Sequence, residues 1–288
     1  MKVSIKFRVA ALMESIVGRR NLVRGSRFFL DYARRDLPNR LDQNGEWMIQ
    51  DVAMSMDITP QVIFDIGSNV GLWTDRLVRK SALSRVPVVV HAFEPSATTY
   101  ALLVENLSLH GFRDQVIAVH AAASDHSGTG TLYKVHELAG SNSLHGIAGK
   151  TDGLEPESIT LVSLDEYCTR AHIGAIHLLK IDAEGHDFLV LMGARKLLAA
   201  QAVRILQFEY NFRWIGARHY LKDVFDLLQP LGYMIGKVTP RSVEWYSSWS
   251  PELETFREAN YIAALPTFST NFPSIEWWNP DLGTSQCR

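Results

Sequence analysis

Val62-Ile63-Phe64-Asp65-Ile66-Gly67-Ser68-Asn69-Val70-Gly71 is the stretch on which the fold turns. An apolar run ending on one Asp, too short for a helix, leads into two glycines, after which Leu72–Lys80 continues with helical spacing. The pattern predicts a strand, a tight turn and a helix start. Glycines at such a turn permit positive φ and let a ligand reach bare backbone, while the helix N-terminus offers unpaired N–H donors. A nucleotide-like ligand follows as the first hypothesis. Asp65 at the strand end would repel a pyrophosphate, and the G-x-G-x-x-G spacing is absent. An ammonium group suits it better.

Outward from this stretch, apolar runs alternate with helical ones, the βαβ texture of an α/β fold with a parallel sheet. Seven strands are predicted at Val62–Ile66, Val88–Phe93, Val116–Ala122, His177–Ile181, Val203–Phe208, Tyr233–Val238 and Tyr261–Leu265. Helices are predicted at Leu72–Lys80, Ala97–His110, Phe188–Ala200 and Tyr220–Gln229, the last closed by Pro230 and Gly232. The last two strands lack an intervening helix and are expected to pair antiparallel at a sheet edge. A polar insert, Ser124–Arg170, contains Thr129–Tyr133 and Ile159–Val162, short runs fit for an extra hairpin or for edge strands.

Three parts are expected: a basic helical extension over 1–58, the α/β unit over 59–266 and a tail over 267–288. The 288 residues carry a net charge of −2, so no global field points to nucleic acid. Residues 1–40, however, hold ten basic and three acidic side chains, a net +7. The spacing of Val3, Phe7, Ala10, Ala11, Met13, Ile16 and Val17 fits a membrane-surface or partner helix, though helices docked on their own domain look the same, and docking is the expectation. No apolar run reaches the ~18 residues of a spanning helix and no signal peptide is visible, so the cytoplasm is the expected location. Cys168 and Cys287 lack metal or redox spacing and read as ordinary thiols. The tail aromatics Phe268, Phe272, Trp277 and Trp278 are expected to pack back over the domain.

Ligands of an open parallel sheet lie beyond the carboxyl ends of the strands, and there the chain is polar. The first strand ends in Asp65 with Gly67, Asn69 and Gly71, the second in Glu94-Pro95-Ser96, the third in Ser124-Asp125. Each acid or serine alone would serve as a cap or turn residue. Together they provide an acid for an ammonium, one for a ribose diol and one for an adenine amine, a set that describes S-adenosylmethionine better than a dinucleotide. A second dense stretch, Leu178-Leu179-Lys180-Ile181-Asp182-Ala183-Glu184-Gly185-His186-Asp187, follows the fourth strand. Methyl transfer to a hydroxyl needs a group to take its proton, for which Asp182 and His186 are candidates, with Glu209 expected to point into the same cleft. The same acids also suit a plain acidic helix N-terminus. Asp182, Glu184 and Glu209 form an oxygen set suited to Mg²⁺. His91, His120 and His177, on apolar strands, read as core histidines.

The ordered segments VIFDIGSNVGLWT, HAFEPS, AAASDHSGTGTLY, SLDEY, LLKIDAEGHDFLVLMGA, ILQFEY and NYIAAL resemble the FkbM-type S-adenosylmethionine-dependent methyltransferases over about residues 60–265. The resemblance implies a class I methyltransferase, Rossmann-like sheet of seven strands with an antiparallel edge strand and helices on both faces. It implies O-methylation of a sugar, glycan or polyketide-like hydroxyl. It carries over Asp65, Gly67, Asn69, Gly71, Glu94, Ser124 and Asp125 as cofactor-side positions, and marks Lys180, Asp182, Glu184 and Gly185 as a second signature. Ser68, Ala183 and Asp187 depart from the residues usual there. A non-catalytic binding module of the same fold is the competing reading; a nicotinamide-dependent oxidoreductase would need a glycine in place of Asp65.

Overall fold

A computed structural model describes residues 5–36, 40, 43–56, 60–133, 144 and 156–277. Val3, Pro38, Trp278 and Cys287, and most of the insert between 134 and 155, lie outside the described residues. The chain opens with helices α1 (Ile5–Val17), α2 (Arg19–Arg34) and α3 (Glu46–Ala53). The alternating part begins with β1 (Gln61–Ile66), α4 (Leu72–Ser84), β2 (Val88–Phe93), α5 (Ala97–Leu109) and β3 (Val116–Val119). Three short strands follow, β4 (Ala122–Ser124), β5 (Gly128–Leu132) and β6 (Glu157–Ser163), then α6 (Leu164–Arg170) and β7 (Ile176–Ile181). Next come α7 (Asp187–Gly193), α8 (Arg195–Ala199), β8 (Val203–Tyr210), α9 (Arg213–Ala217), α10 (Leu221–Leu228), β9 (Met234–Val238) and β10 (Val243–Tyr246). The chain closes with β11 (Ala259–Ala264), α11 (Pro266–Ser269) and β12 (Ser274–Ile275).

The main sheet runs β12-β10-β9-β11-β8-β7-β1-β2-β3. Its seven-strand part from β9 to β3 is the expected sheet, with all strands parallel except β11, which pairs antiparallel to both β8 and β9. The antiparallel strand is therefore internal, and the edge is extended to nine strands by β10 and β12. Four-residue β10 and two-residue β12 are too short to carry a periodicity. Strand order reverses between β1 and β7, the switch point at which an open sheet leaves a crevice.

Strands buried on both faces read as apolar runs because each face meets its own layer of helices. Phe64, Ile66, Leu179, Ile181 and Phe208 point to one layer with Val190, Trp214 and Phe225. Ile63, Val90, Leu178 and Ile205 point to the other with Ile49, Trp73, Leu77 and Leu103. Helix α3 belongs to this second layer, where Gln50 also donates to the Trp73 carbonyl at 3.0 Å.

Two predicted elements are split. The third strand breaks after Val119, where Ala121 N–H turns back to the Val119 carbonyl at 3.0 Å. The chain then enters a second sheet, β4-β6-β5, in which β5 and β6 form the expected antiparallel hairpin. The helix predicted at Phe188–Ala200 becomes α7 and α8. Gly193 ends α7 where a Cβ would stand 1.9 Å from the Ser124 carbonyl oxygen, a backbone approach that only glycine allows.

His120 emerges at the strand break, exposed and stacked on Tyr100 at 4.5 Å between ring centroids, and so is not a core histidine. His91 bonds the Tyr167 hydroxyl at 2.7 Å, and His177 Nδ1 accepts the Val62 N–H at 2.9 Å. Phe272 and Trp277 are buried, and burial pushes the Cys168 thiol up to about 12, which leaves it unreactive. The N-terminal arm does not dock as expected: α1 buries no residue, and α2 buries only Arg34.

Candidate active site

A cleft with about 690 Å³ of empty space, open solvent included, lies at the carboxyl ends of β1, β2 and β7. Its floor comes from Ile66, Gly67 and Asn69, one wall from Phe93, Glu94 and Pro95, and the opposite rim from Asp182, Ala183 and Glu184.

The β1 turn is held open by backbone bonds. Gly67 and Ser68 donate their N–H groups to the Phe93 carbonyl at 3.1 and 2.9 Å, and Asp182 N–H donates to the Ile66 carbonyl at 3.0 Å. Gly67 has φ +77°, and a Cβ there would lie 1.9 Å from the Asp182 carbonyl oxygen. Glycine is thus required where the β1 turn crosses the end of β7. Gly71, at φ +89°, closes the turn against Leu103 at the start of α4.

Glu94 faces the cleft with its carboxylate fixed from behind. Oε2 accepts the Asn69 N–H at 3.1 Å and Oε1 the Ser96 N–H at 2.9 Å. Each oxygen keeps capacity for another donor. Burial pushes the Glu94 carboxyl up to about 7, against the pull of those two N–H bonds.

Asp65 is placed differently from a ligand-facing acid. Its carboxylate is fully buried behind the turn, where Oδ2 accepts the Thr74 hydroxyl at 2.6 Å and Oδ1 meets the Lys180 ammonium at 3.2 Å. Lys180 also reaches Asp182 Oδ2 at 3.4 Å, so one ammonium ties the β1 acid to the cleft rim.

The second signature coils into a tight turn. Asp187, fully buried, accepts the Gly185 N–H at 3.1 Å and fixes the turn from below; burial and the Asp182 charge push its carboxyl up to about 7. Glu184, at φ +53°, pairs with Arg213 at 2.7 Å, and burial with the charge of Asp182 pushes its carboxyl up to about 8. Glu209 is buried beside this group, accepts from Asn211 at 2.6 Å, and is raised well above the usual carboxylate range, first by burial and then by Asp182, Glu184 and Asp187.

Of the sequence-predicted site residues, Gly67, Asn69, Glu94 and Asp182 line the cleft together. Asp65 and Gly71 support the turn from behind. Ser124 and His186 meet each other, hydroxyl to Nε2 at 2.9 Å, and Ser124 donates to Asp125 at 3.0 Å, so His186 supplies the proton of its own bond. Asp125 is exposed and pairs with His126. None of these three, nor Glu209, is part of the cleft lining. Among the described residues, no group of three His, Cys, Asp or Glu side chains is placed to hold a metal ion. The lining adds residues that sequence reasoning passed over: Thr99, Ala121, Ala122, Ala123, Leu132 and Leu144. The alanine run Ala121-Ala122-Ala123 at the end of the predicted third strand was the available signal, since small side chains at a strand end leave room for a ligand.

The Methyltransferase FkbM domain model matches residues 65–235, which include Asp65 to Gly71 and the second signature stretch. No curated protein matches the chain. Among solved structures it is similar to methyltransferase FkbM from Methylobacillus flagellatus KT, at 15% identity and a TM-score of 0.42, over 71% of this chain and 43% of that one. It is also similar to an rRNA methylase from Streptococcus thermophilus, at 12% identity and a TM-score of 0.42, over 76% of this chain and 94% of that one. A third is a SAM-dependent methyltransferase from Agrobacterium tumefaciens, at 9% identity and a TM-score of 0.39, over 77% and 60% of the two chains. The chain spans less than half the length of the Methylobacillus protein.

Proposed function

The chain belongs to the FkbM family of methyltransferases, and from that premise we propose that it moves the methyl group of S-adenosylmethionine to a hydroxyl oxygen of a sugar, glycan or polyketide-like metabolite. The observation that carries the cofactor reading is Glu94, whose two oxygens are aimed by the Asn69 and Ser96 N–H groups and can each take one hydroxyl of a ribose diol. Phe93, Ala121, Ala122 and Leu132 supply apolar surface for a base, and Gly67 and Asn69, whose N–H groups are taken by the Phe93 carbonyl and Glu94, line the part of the cleft assigned to the amino-acid end. Bound S-adenosylmethionine supplies an activated methyl on a sulfonium and needs no acid to release its neutral thioether.

The chain's own task is then to orient the acceptor and take its proton. Asp182 is the group we assign to that step, because it is the part-exposed carboxylate on the cleft rim and is held by Lys180. Glu184 stands beside it on the rim, held by Arg213. His186 acts as a positioning residue, fixing the start of α7 to Ser124, and Glu209 reaches the same turn through Asn211, which accepts the Arg213 N–H, and the Arg213–Glu184 pair. Asp65 holds the amino-acid end indirectly, through Lys180 and the turn it braces. A methyl-transfer screen over sugars, glycolipids and polyketides, with and without Mg²⁺, tests the proposal: labelled product from one of these hydroxyl classes supports it, and transfer confined to nitrogen or carbon acceptors would overturn it.

A further inference from the structure

The N-terminal arm presents an apolar stripe that the domain leaves uncovered. On α1, Ile5, Val9, Leu12, Met13 and Ile16 recur at i, i+4, i+7, i+8 and i+11, on one helix face, and each is between 49% and 78% exposed. On α2, Arg20, Arg24 and Arg27 recur at i, i+4 and i+7 beside exposed Val23 and Leu30. The arm is nonetheless firmly rooted. Arg34 donates to the Glu252 carbonyl at 3.0 Å, Lys237 donates to the Arg34 carbonyl at 3.0 Å and pairs with Asp36, and Arg257 pairs with Asp31. Lys237 is the penultimate residue of β9, which runs in the direction of β8, and Arg257 precedes the antiparallel β11, so the root lies at the carboxyl end of the sheet, the end that carries the cleft.

We infer that α1 and α2 form an in-plane anchor for an anionic lipid surface, placing the cleft end of the domain toward that surface. Residues 5–34 hold seven basic and two acidic side chains, of which Arg34 is buried at the root beside Asp36 and Asp31 is paired with Arg257. An apolar stripe on one helix and a row of arginines on the next match the acyl chains and the phosphates of an anionic lipid surface. A second copy would bring the same positive arm against itself, and nucleic acid would leave the stripe in water. No helix among the described residues is long and apolar enough to cross a membrane, so the arm lies along the surface. The inference is independent of the methyl-transfer reading.

Co-sedimentation of the full chain with vesicles of phosphatidylcholine containing one quarter phosphatidylglycerol tests it, with pure phosphatidylcholine vesicles as the comparison. Binding to the anionic vesicles should be at least about tenfold tighter and should weaken by about tenfold or more between about 0.1 and 0.5 M NaCl. Joint replacement Arg20→Gln, Arg24→Gln and Arg27→Gln should weaken it by about tenfold or more. Leu12→Glu with Ile16→Glu should abolish it while the circular dichroism spectrum and melting profile stay unchanged, since both side chains are exposed. A folded chain that stays in the supernatant, equal binding to both vesicle types, or a solution dimer that Ile16→Glu splits would each overturn the inference.

Discussion

The Lys180 ammonium lies 3.2 Å from Asp65 Oδ1, the two residues facing each other in register across β7 and β1 with both side chains buried. Burial works against the lysine charge, but Asp65, Asp182 and Glu46 outweigh it and raise the Lys180 pKa. Removing one partner leaves the other charge uncompensated in the core. Lys180→Met should therefore cost about 3–5 kcal/mol in urea unfolding, and adding Asp65→Leu should recover part of the loss. A double variant less stable than Lys180→Met alone would contradict this pairing.

Gly67→Ala should cost more than about 2 kcal/mol, because a side chain at φ +77° is strained and its Cβ meets the Asp182 carbonyl oxygen. Thermal unfolding reads the loss. Alanine tolerated there without a shift would mean that the turn does not cross β7 as described.

Asp187 titrates near 7 in the folded chain against an ordinary value of 3.8. Between those values the folded state binds a proton that the unfolded chain has released, so this group's contribution to stability is present at low pH and is lost as pH rises through about 7. Asp187→Asn keeps an acceptor for the Gly185 N–H and has no charge to bury. Relative to the native chain, it should gain about 1.4 kcal/mol between pH 6 and 8 in chemical denaturation. A pH-independent difference would remove Asp187 from that role.

Asp182→Asn should lower turnover by about 10²–10⁴-fold while S-adenosylmethionine affinity and melting behaviour stay near those of the native chain. Loss of affinity with unchanged turnover would make Asp182 a cofactor residue.

The strand ends were legible because position alone sends residues after β1, β2 and β7 into the crevice, which is how Gly67, Asn69, Glu94 and Asp182 declare themselves. What Asp65 and His186 point at was not legible. Asp65 meets a lysine 115 residues away and His186 a serine 62 residues away, and periodicity carries no information on such pairings. Asp125 follows a strand as expected, but that strand had left the main sheet at His120, which moved it away from the cleft. The apolar content of α1 was plain in sequence, but the set marked there shares only Met13 and Ile16 with the uncovered stripe Ile5, Val9, Leu12, Met13 and Ile16, and the absence of any burial on that helix is visible only in the structure.

Isothermal titration of S-adenosylmethionine into the native chain and into Glu94→Gln between pH 6 and 8 tests the central claim most directly. With the Glu94 carboxyl at about 7, its ionised fraction rises about tenfold over that range, so native affinity should rise about tenfold, with one site per chain. Glu94→Gln should bind more weakly at pH 8 and lose the pH dependence. No heat from the folded native chain, or equal affinity in the two proteins at every pH, would contradict the account.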